Sequence, residues 1–192
     1  MRLPRIVPAT LLIASVAAAG AAQVRAHLPA NVTPPWSKGI QPISRESYWN
    51  AMTCGKQPGA RPPCVFYDAE LCANDEFTLA FYTPYKQVAY TVWQAVSRKQ
   101  PAPTPSYADA QRMRIIIGVR PRHAAQNPVT GFTIARGKTT IDPSSRSLDE
   151  GAGTFYFDFS AFSPTAPITL TMNGKTKSVT CSIDRATLAQ MR

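Results

Sequence analysis

Proline is spread through this chain so densely that no long helix can run through it: 18 of its 192 residues are proline. Each one removes a backbone donor and blocks a helix interior, and sheets tolerate it only at edges and bulges. That spacing excludes an all-helical bundle and favours short strands joined by loops. With 44% hydrophobic and 17% charged residues, the chain has apolar surface for one packed core and too little charge for charge-driven disorder. Its length suits one domain plus a targeting segment.

The first 26 residues carry that segment. Arg2 and Arg5 precede an Ala- and Leu-rich apolar stretch, Ile6 to Ala22, and small residues suited to processing follow at Gly20 and Ala22 or at Val24 and Ala26. This predicts a cleaved signal peptide over 1–26 and a mature chain starting near Gln23 or His27, soluble outside the cytoplasm, in the periplasm or the medium. The first cysteine is Cys54, so no acylated-cysteine anchor is available, and Arg2 and Arg5 are not the adjacent pair of the twin-arginine route. Residues 27–43, with Pro29, Pro34, Pro35 and Pro42, read as an extended lead-in, and 44–192 as a single globular domain. Asn31-Val32-Thr33 fits the glycosylation sequon and matters only in a host that glycosylates.

An oxidising compartment makes Cys54, Cys64, Cys72 and Cys181 an even disulfide set. They lack a CxxC pair and a neighbouring histidine, which argues against zinc. A Gly/Pro loop separates Cys54 from Cys64, so a local Cys54–Cys64 bridge is expected. Cys72 then ties to Cys181 and joins the front of the domain to its last strand.

Ser44 caps a predicted helix over 45–53, packing Tyr48, Trp49 and Met52 inward. Phe77, Leu79 and Phe81 alternate along a strand, 77–82. Thr83-Pro84 starts a helix running to about 99, with Tyr85, Val88, Ala89, Val92 and Val96 on its apolar face. Pro101, Pro103 and Pro105 form a stiff connector. Residues 112–122, centred on Ile115-Ile116-Ile117, predict a central strand buried on both faces. Residues 131–141 predict a strand or hairpin with Gly137 as a bulge, 142–153 a polar loop, and 154–159 an aromatic strand. Asn173-Gly174 between alternating arms predicts a type I′ hairpin, and Asp184 caps a terminal helix. The fold class is therefore α+β, mainly β: an antiparallel sheet or β-sandwich-like domain with one amphipathic helix, about 84–99, packed on it.

Site chemistry is sparse. His123 sits in a polar turn sequence without the elbow of a serine nucleophile. His27 has copper-chelating chemistry only if processing exposes it as the first residue. Asp68, Glu70, Asp75 and Glu76 cluster around Cys72, and Asp149-Glu150 precede a glycine pair. Paired carboxylates suit a hydrolase, although neither cluster has calcium-loop spacing. No catalytic residue, metal or cofactor is assigned. The formal charge of +10 concentrates between residues 98 and 138, where Arg98, Lys99, Arg112, Arg114, Arg120, Arg122, Arg136 and Lys138 face Asp109 alone. Such a band suits an anionic envelope component or an acidic protein. Export makes nucleic acid a poor partner, and beyond the signal no stretch is long enough to span a membrane. The expectation is a non-catalytic binding or structural module of the cell envelope. The alternatives are a secreted hydrolase using an acidic cluster, and an envelope-complex subunit touching its partners through Tyr90, Trp93 and the Pro-rich lead-in.

Overall fold

The computed structural model describes residues 22–25, 38–59 and 71–191. The strands are β1 (Ala22–Arg25), β2 (Phe77–Tyr82), β3 (Ile115–Pro121), β4 (Val129–Arg136), β5 (Thr139–Ile141), β6 (Ser145–Asp149), β7 (Ala152–Phe157), β8 (Ile168–Gly174) and β9 (Ser178–Ile183). The helices are α1 (Arg45–Gly55), α2 (Pro84–Ser97), α3 (Tyr107–Gln111) and α4 (Arg185–Gln190). The strands form two sheets, sheet A in the order β1-β9-β8-β4-β5 and sheet B in the order β2-β3-β7-β6. All pairings are antiparallel except β1 with β9. The mainly-β, α+β expectation holds.

The period-two alternation read from the sequence builds the main core. Phe77, Leu79 and Phe81 of β2, with Ile115, Ile117 and Val119 of β3, bury one face of sheet B. Phe132 and Ile134 of β4, Leu170 and Met172 of β8, and Val179 and Ile183 of β9 are in the same core from sheet A. Phe132 meets Phe155 and Phe157 of β7 at ring-centroid distances of 5.5 and 5.8 Å, so aromatic contacts cross between the sheets. The Cys72–Cys181 disulfide joins the approach to β2 to β9, as expected, with Cα atoms 5.8 Å apart. It spans a sequence separation of 109, which in the chain-entropy account corresponds to about 4–5 kcal/mol of stabilisation. Cys54 is also disulfide-bonded. Cys64 lies outside the described residues, and with it the expected Cys54–Cys64 pairing, as do the sequon and most of the lead-in. The last lead-in residues are anchored: Gly39 N–H donates to the Ala189 carbonyl at 2.8 Å and Ile40 joins the main core.

The helices form a second core, with Tyr48, Ala51 and Met52 of α1 against Val88, Ala89 and Val92 of α2 and Ala110 of α3. The hydroxyls of Ser44 and Thr83 accept from the Ser47 and Lys86 amides, which explains both helix starts. The α2 helix packs principally on α1. It is tied to sheet B by Gln87, whose amide donates to the carbonyls of Tyr82 and Arg114 at 3.0 and 2.7 Å.

Several local expectations are corrected. Trp49 is 56% exposed, because it falls off the face on which Tyr48 and Met52 meet α2. The β3 strand is interior to its sheet but buried on one face only, since Ile116 and Gly118 remain half-exposed. Residues 145–149, expected as loop, form the exposed edge strand β6. It packs no core and so carries no apolar alternation. Glu150 and Gly151, at φ 47° and 80°, turn it into β7. Gly137, at φ 59°, is the first residue of the tight β4–β5 turn rather than a bulge; the irregularity lies between Val129 and Gly131.

The β8–β9 hairpin exists, but Asn173 and Gly174 are its last strand residues and neither has positive φ. The chain reverses at Lys175-Thr176, with Gly174 N–H donating to the Lys177 carbonyl at 3.1 Å. Glycine at 174 answers a different need, since a Cβ there would lie 2.2 Å from Asn127 Oδ1.

A Cβ on Gly55 would lie 2.4 Å from the Ala89 carbonyl oxygen and 2.6 Å from Val92 Cβ, so this glycine sets the α1–α2 separation. Gly55→Ala gains about 1 kcal/mol of helix propensity and loses more to overpacking, about 1–3 kcal/mol. A net loss of stability in urea denaturation is expected. A net gain would show that the helices do not approach this closely.

Candidate functional site

Filling the inner face of sheet B with Phe and Ile leaves the alternate residues on its outer face. The registers place them in rows across the strands. One row runs Tyr82, Ile116, Tyr156, Ser145, and the next Ala80, Gly118, Thr154, Ser147. Beyond it, Thr78 pairs with Arg120 and Asp149 with Ala152. The small middle row lies between larger neighbours, and the result is an open groove of about 1060 Å³. Gln87 of α2 lines it near Tyr82, and Ala124 and Glu150 line its opposite end. Most of its floor is half-exposed, and Arg120 is exposed within it.

At the α2 end, Tyr82 stands edge-on to Tyr90 at 6.2 Å, and the Lys86 ammonium lies 5.0 Å from the Tyr82 ring centroid and 5.7 Å from that of Tyr90. Lys86, only 5% exposed, lies within the apolar rim of this corner. Tyr90 also meets Trp93, whose indole N–H donates to the Gly59 carbonyl at 3.1 Å, so both aromatics are partly used in packing.

A polar clamp holds the other end. Buried Asn127 donates to Glu76 Oε2 at 3.1 Å and to the Lys177 carbonyl at 3.2 Å; its Oδ1 accepts from the amides of Thr176 and Lys177 at 3.0 and 3.1 Å. Lys177 Nζ completes it on Glu76 Oε1 at 2.8 Å. These bonds fix the β3–β4 loop, which supplies Ala124 to the groove. Hydrogen bonds from Lys177 and Asn127 hold the Glu76 carboxyl below its ordinary value of 4.5, and the bond to Glu76 raises Lys177 above 10.5.

The basic residues singled out in the sequence do not form one patch. Arg98 and Lys99 end α2, and Arg112 follows α3, bridged to Asp109. Arg136 and Lys138 belong to sheet A and its β4–β5 turn. Arg136 Nη2 donates to the Ser160, Ala161 and Ser163 carbonyls at 2.9–3.3 Å, a structural role. Arg114, Arg120 and Arg122 share the outward period of β3. Of these, Arg114 donates to Ser144 Oγ at 3.0 Å and lies 3.7 Å from Asp158, and Arg122 Nε donates to the Asn74 carbonyl at 2.8 Å.

Among the acidic residues, Glu76 belongs to the clamp and Asp149 and Glu150 to the groove. Asp68, Glu70 and His27 lie outside the described residues. His123 is exposed in the β3–β4 loop, where its carbonyl accepts from Gln126 and Asn127. Thr78, Ala80, Gly118, Ser147, Thr154 and Tyr156 were not anticipated as site residues. For Thr78, Ala80, Thr154 and Tyr156 the signal is the small or polar partner of each apolar position in 77–82 and 152–157, and for Gly118 its place between Ile117 and Val119; Ser147, on a strand without apolar alternation, has none. No family model, curated protein or solved structure matches this chain at a significant level, so the geometry alone carries the functional reading.

The clamp has a defined pH response. Because the Glu76 carboxyl is held below its unfolded value, its contribution is fully present above pH 4.5 and is lost as pH falls through the folded value. The melting temperature of the wild-type protein is expected to fall more steeply with acidification than that of Glu76→Gln, the two converging at low pH. Parallel curves through this range would show that the carboxylate is not coupled to folding.

Proposed function

We propose that this chain is an exported, disulfide-bonded, non-catalytic binding module of the cell envelope that meets an anionic partner through the outer face of sheet B. The supporting observation is Arg120 in the open groove, with exposed Arg114 and Arg122 just beyond the two ends of β3; Asp149 and Glu150 line the same groove. A sheet closed behind by a full core and tied to sheet A by the Cys72–Cys181 disulfide suits a preformed binding surface. The basic residues outside sheet B take no part in this reading.

The test is salt-dependent binding of the purified protein to phosphatidylglycerol vesicles and to acidic wall-polymer fragments. Binding at low salt that weakens as salt rises is expected, since exposed charges are screened within about 10 Å at 0.1 M. Arg120→Ala is expected to weaken it, and Lys138→Ala on sheet A to leave it unchanged. No binding to either probe at low salt contradicts the reading.

Export has its own measurement. Gln23 to Arg25 pair with Thr180 to Ser182 of β9, so a cut after Ala22 keeps these pairings and a cut after Ala26 removes them. Intact mass of the secreted product is expected to place its first residue at Gln23. A product beginning at His27 contradicts retention of β1, and an uncut chain contradicts export.

A further inference from the structure

We infer that β6 is a docking edge for a second copy of this chain, the two copies pairing their β6 strands antiparallel about a two-fold axis. The pairing stands apart from the anionic-partner reading and does not rest on it. β6 ends the strand order of sheet B, and all five of its residues are exposed. The strand at the other edge of that sheet, β2, is buried at every second residue, and Gln87 takes the carbonyl at its end. In sheet A, β1 covers the edge of β9, and β5 is three residues long and soon followed by Pro143. Among the described residues β6 is therefore the longest sheet edge that stands wholly in solvent.

The hairpin decides which backbone groups are free. Glu150 and Gly151 form a two-residue turn with positive φ at both positions, so Asp149 and Ala152 exchange backbone bonds. By alternation Ser147 also bonds β7, and the N–H and C=O of Arg146 and Leu148 point away from the sheet. Such an edge is a template for another strand, and proteins guard it with proline, lysine, bulges or inward-pointing charge. β6 has no proline, lysine or bulge, and its side chains form no hydrogen bond or ion pair among the described residues. Leu148 is 48% exposed, because its neighbour across the hairpin is Gly153, which has no side chain to cover it.

Charge selects the occupant. The strand begins on a base, Arg146, and runs into two acids, Asp149 and Glu150. A parallel copy would set like against like. An antiparallel copy on a two-fold axis through Leu148 sets Leu148 on Leu148, Ser147 on Asp149 and Arg146 beside Glu150. The exposed leucines then cover each other and exchange their backbone bonds, and the Ser147 hydroxyl donates to the Asp149 carboxylate. Arg146, an inward charge that deters an apolar strand, meets an opposite charge in its own copy. Ser147 and Asp149 line the sheet B groove, so the second copy contributes residues at the seam where the two grooves join. A strand of this length is small against the about 1,200–2,000 Å² of a stable interface, so the dimer is reversible.

Analytical ultracentrifugation of the purified protein over rising concentration tests this. Monomer giving way to dimer, with no larger species, is expected, because pairing consumes the edge in both copies. Leu148→Lys puts two ammonium groups on the axis and is expected to weaken self-association by about tenfold or more. Arg146→Glu is expected to do the same, and Arg146→Glu combined with Glu150→Arg to restore it. All three positions are exposed, so unchanged melting temperatures are expected.

A wild-type chain that stays monomeric at every concentration overturns the inference. Self-association unaltered by both single variants overturns β6 as the interface. A double variant that associates no more tightly than Arg146→Glu overturns the antiparallel arrangement.

Discussion

The Cys72–Cys181 bridge and the Glu76–Lys177 ion pair fasten the same short segment to the same hairpin. Glu76 lies four positions after Cys72 and Cys181 four positions after Lys177, so the approach to β2 is pinned along the β8–β9 arm at both its ends. The segment between them is shaped by Asn74, whose Oδ1 accepts from the Glu76 and Phe77 amides. Sheet B therefore enters the domain already attached to sheet A. The Phe132, Phe155 and Phe157 contacts then close the two layers around one core. An exposed ion pair adds little by itself, whereas a covalent link across a long loop restricts the unfolded chain strongly. The disulfide is the dominant of the two ties, and the clamp around Asn127 gives it a fixed register.

Asn127 also explains why local turn chemistry misleads at the β8–β9 hairpin. Asn-Gly is a strong two-residue hairpin signal in isolation. Here Asn127 Oδ1 supplies the acceptor for the turn amides of Thr176 and Lys177, and the chain reverses two residues later, at Lys175-Thr176. Gly174 is retained because the Asn127 side chain occupies the space of a Cβ. A contact 49 residues away in sequence thus outweighs a four-residue propensity. The same limit applies at β6, whose strand state comes from pairing with β7 and not from any apolar pattern of its own.

What the sequence did disclose is the inner face. Alternation at 77–82 and in 168–183, the Thr83-Pro84 helix start and the long disulfide each depend on local pattern or simple cysteine pairing, and each is present in the structure. The candidate site was legible only in part. Arg120 stands out through charge, but the groove arises from four strands aligned in register, and local pattern gives β6 as loop and β3 as buried on both sides. Charge counting along the chain also grouped arginines whose roles diverge. Arg136 satisfies three carbonyls of sheet A, Arg122 steadies the Asn74 turn, and Arg120 lies in the groove. A linear run of charge becomes a surface only where strand order brings it together.

We propose that the outer face of sheet B binds the partner while sheet A supports it from behind. Amide chemical-shift mapping of the isotope-labelled protein during titration with soluble acidic wall-polymer fragments at low salt tests this most directly. The account predicts shifts at Thr78, Ala80, Gly118, Arg120, Ser147 and Thr154, with those of Thr133, Thr171 and Lys138 on the sheet A side unmoved. Shifts concentrated on sheet A or at the ends of the helices, with sheet B silent, would contradict it.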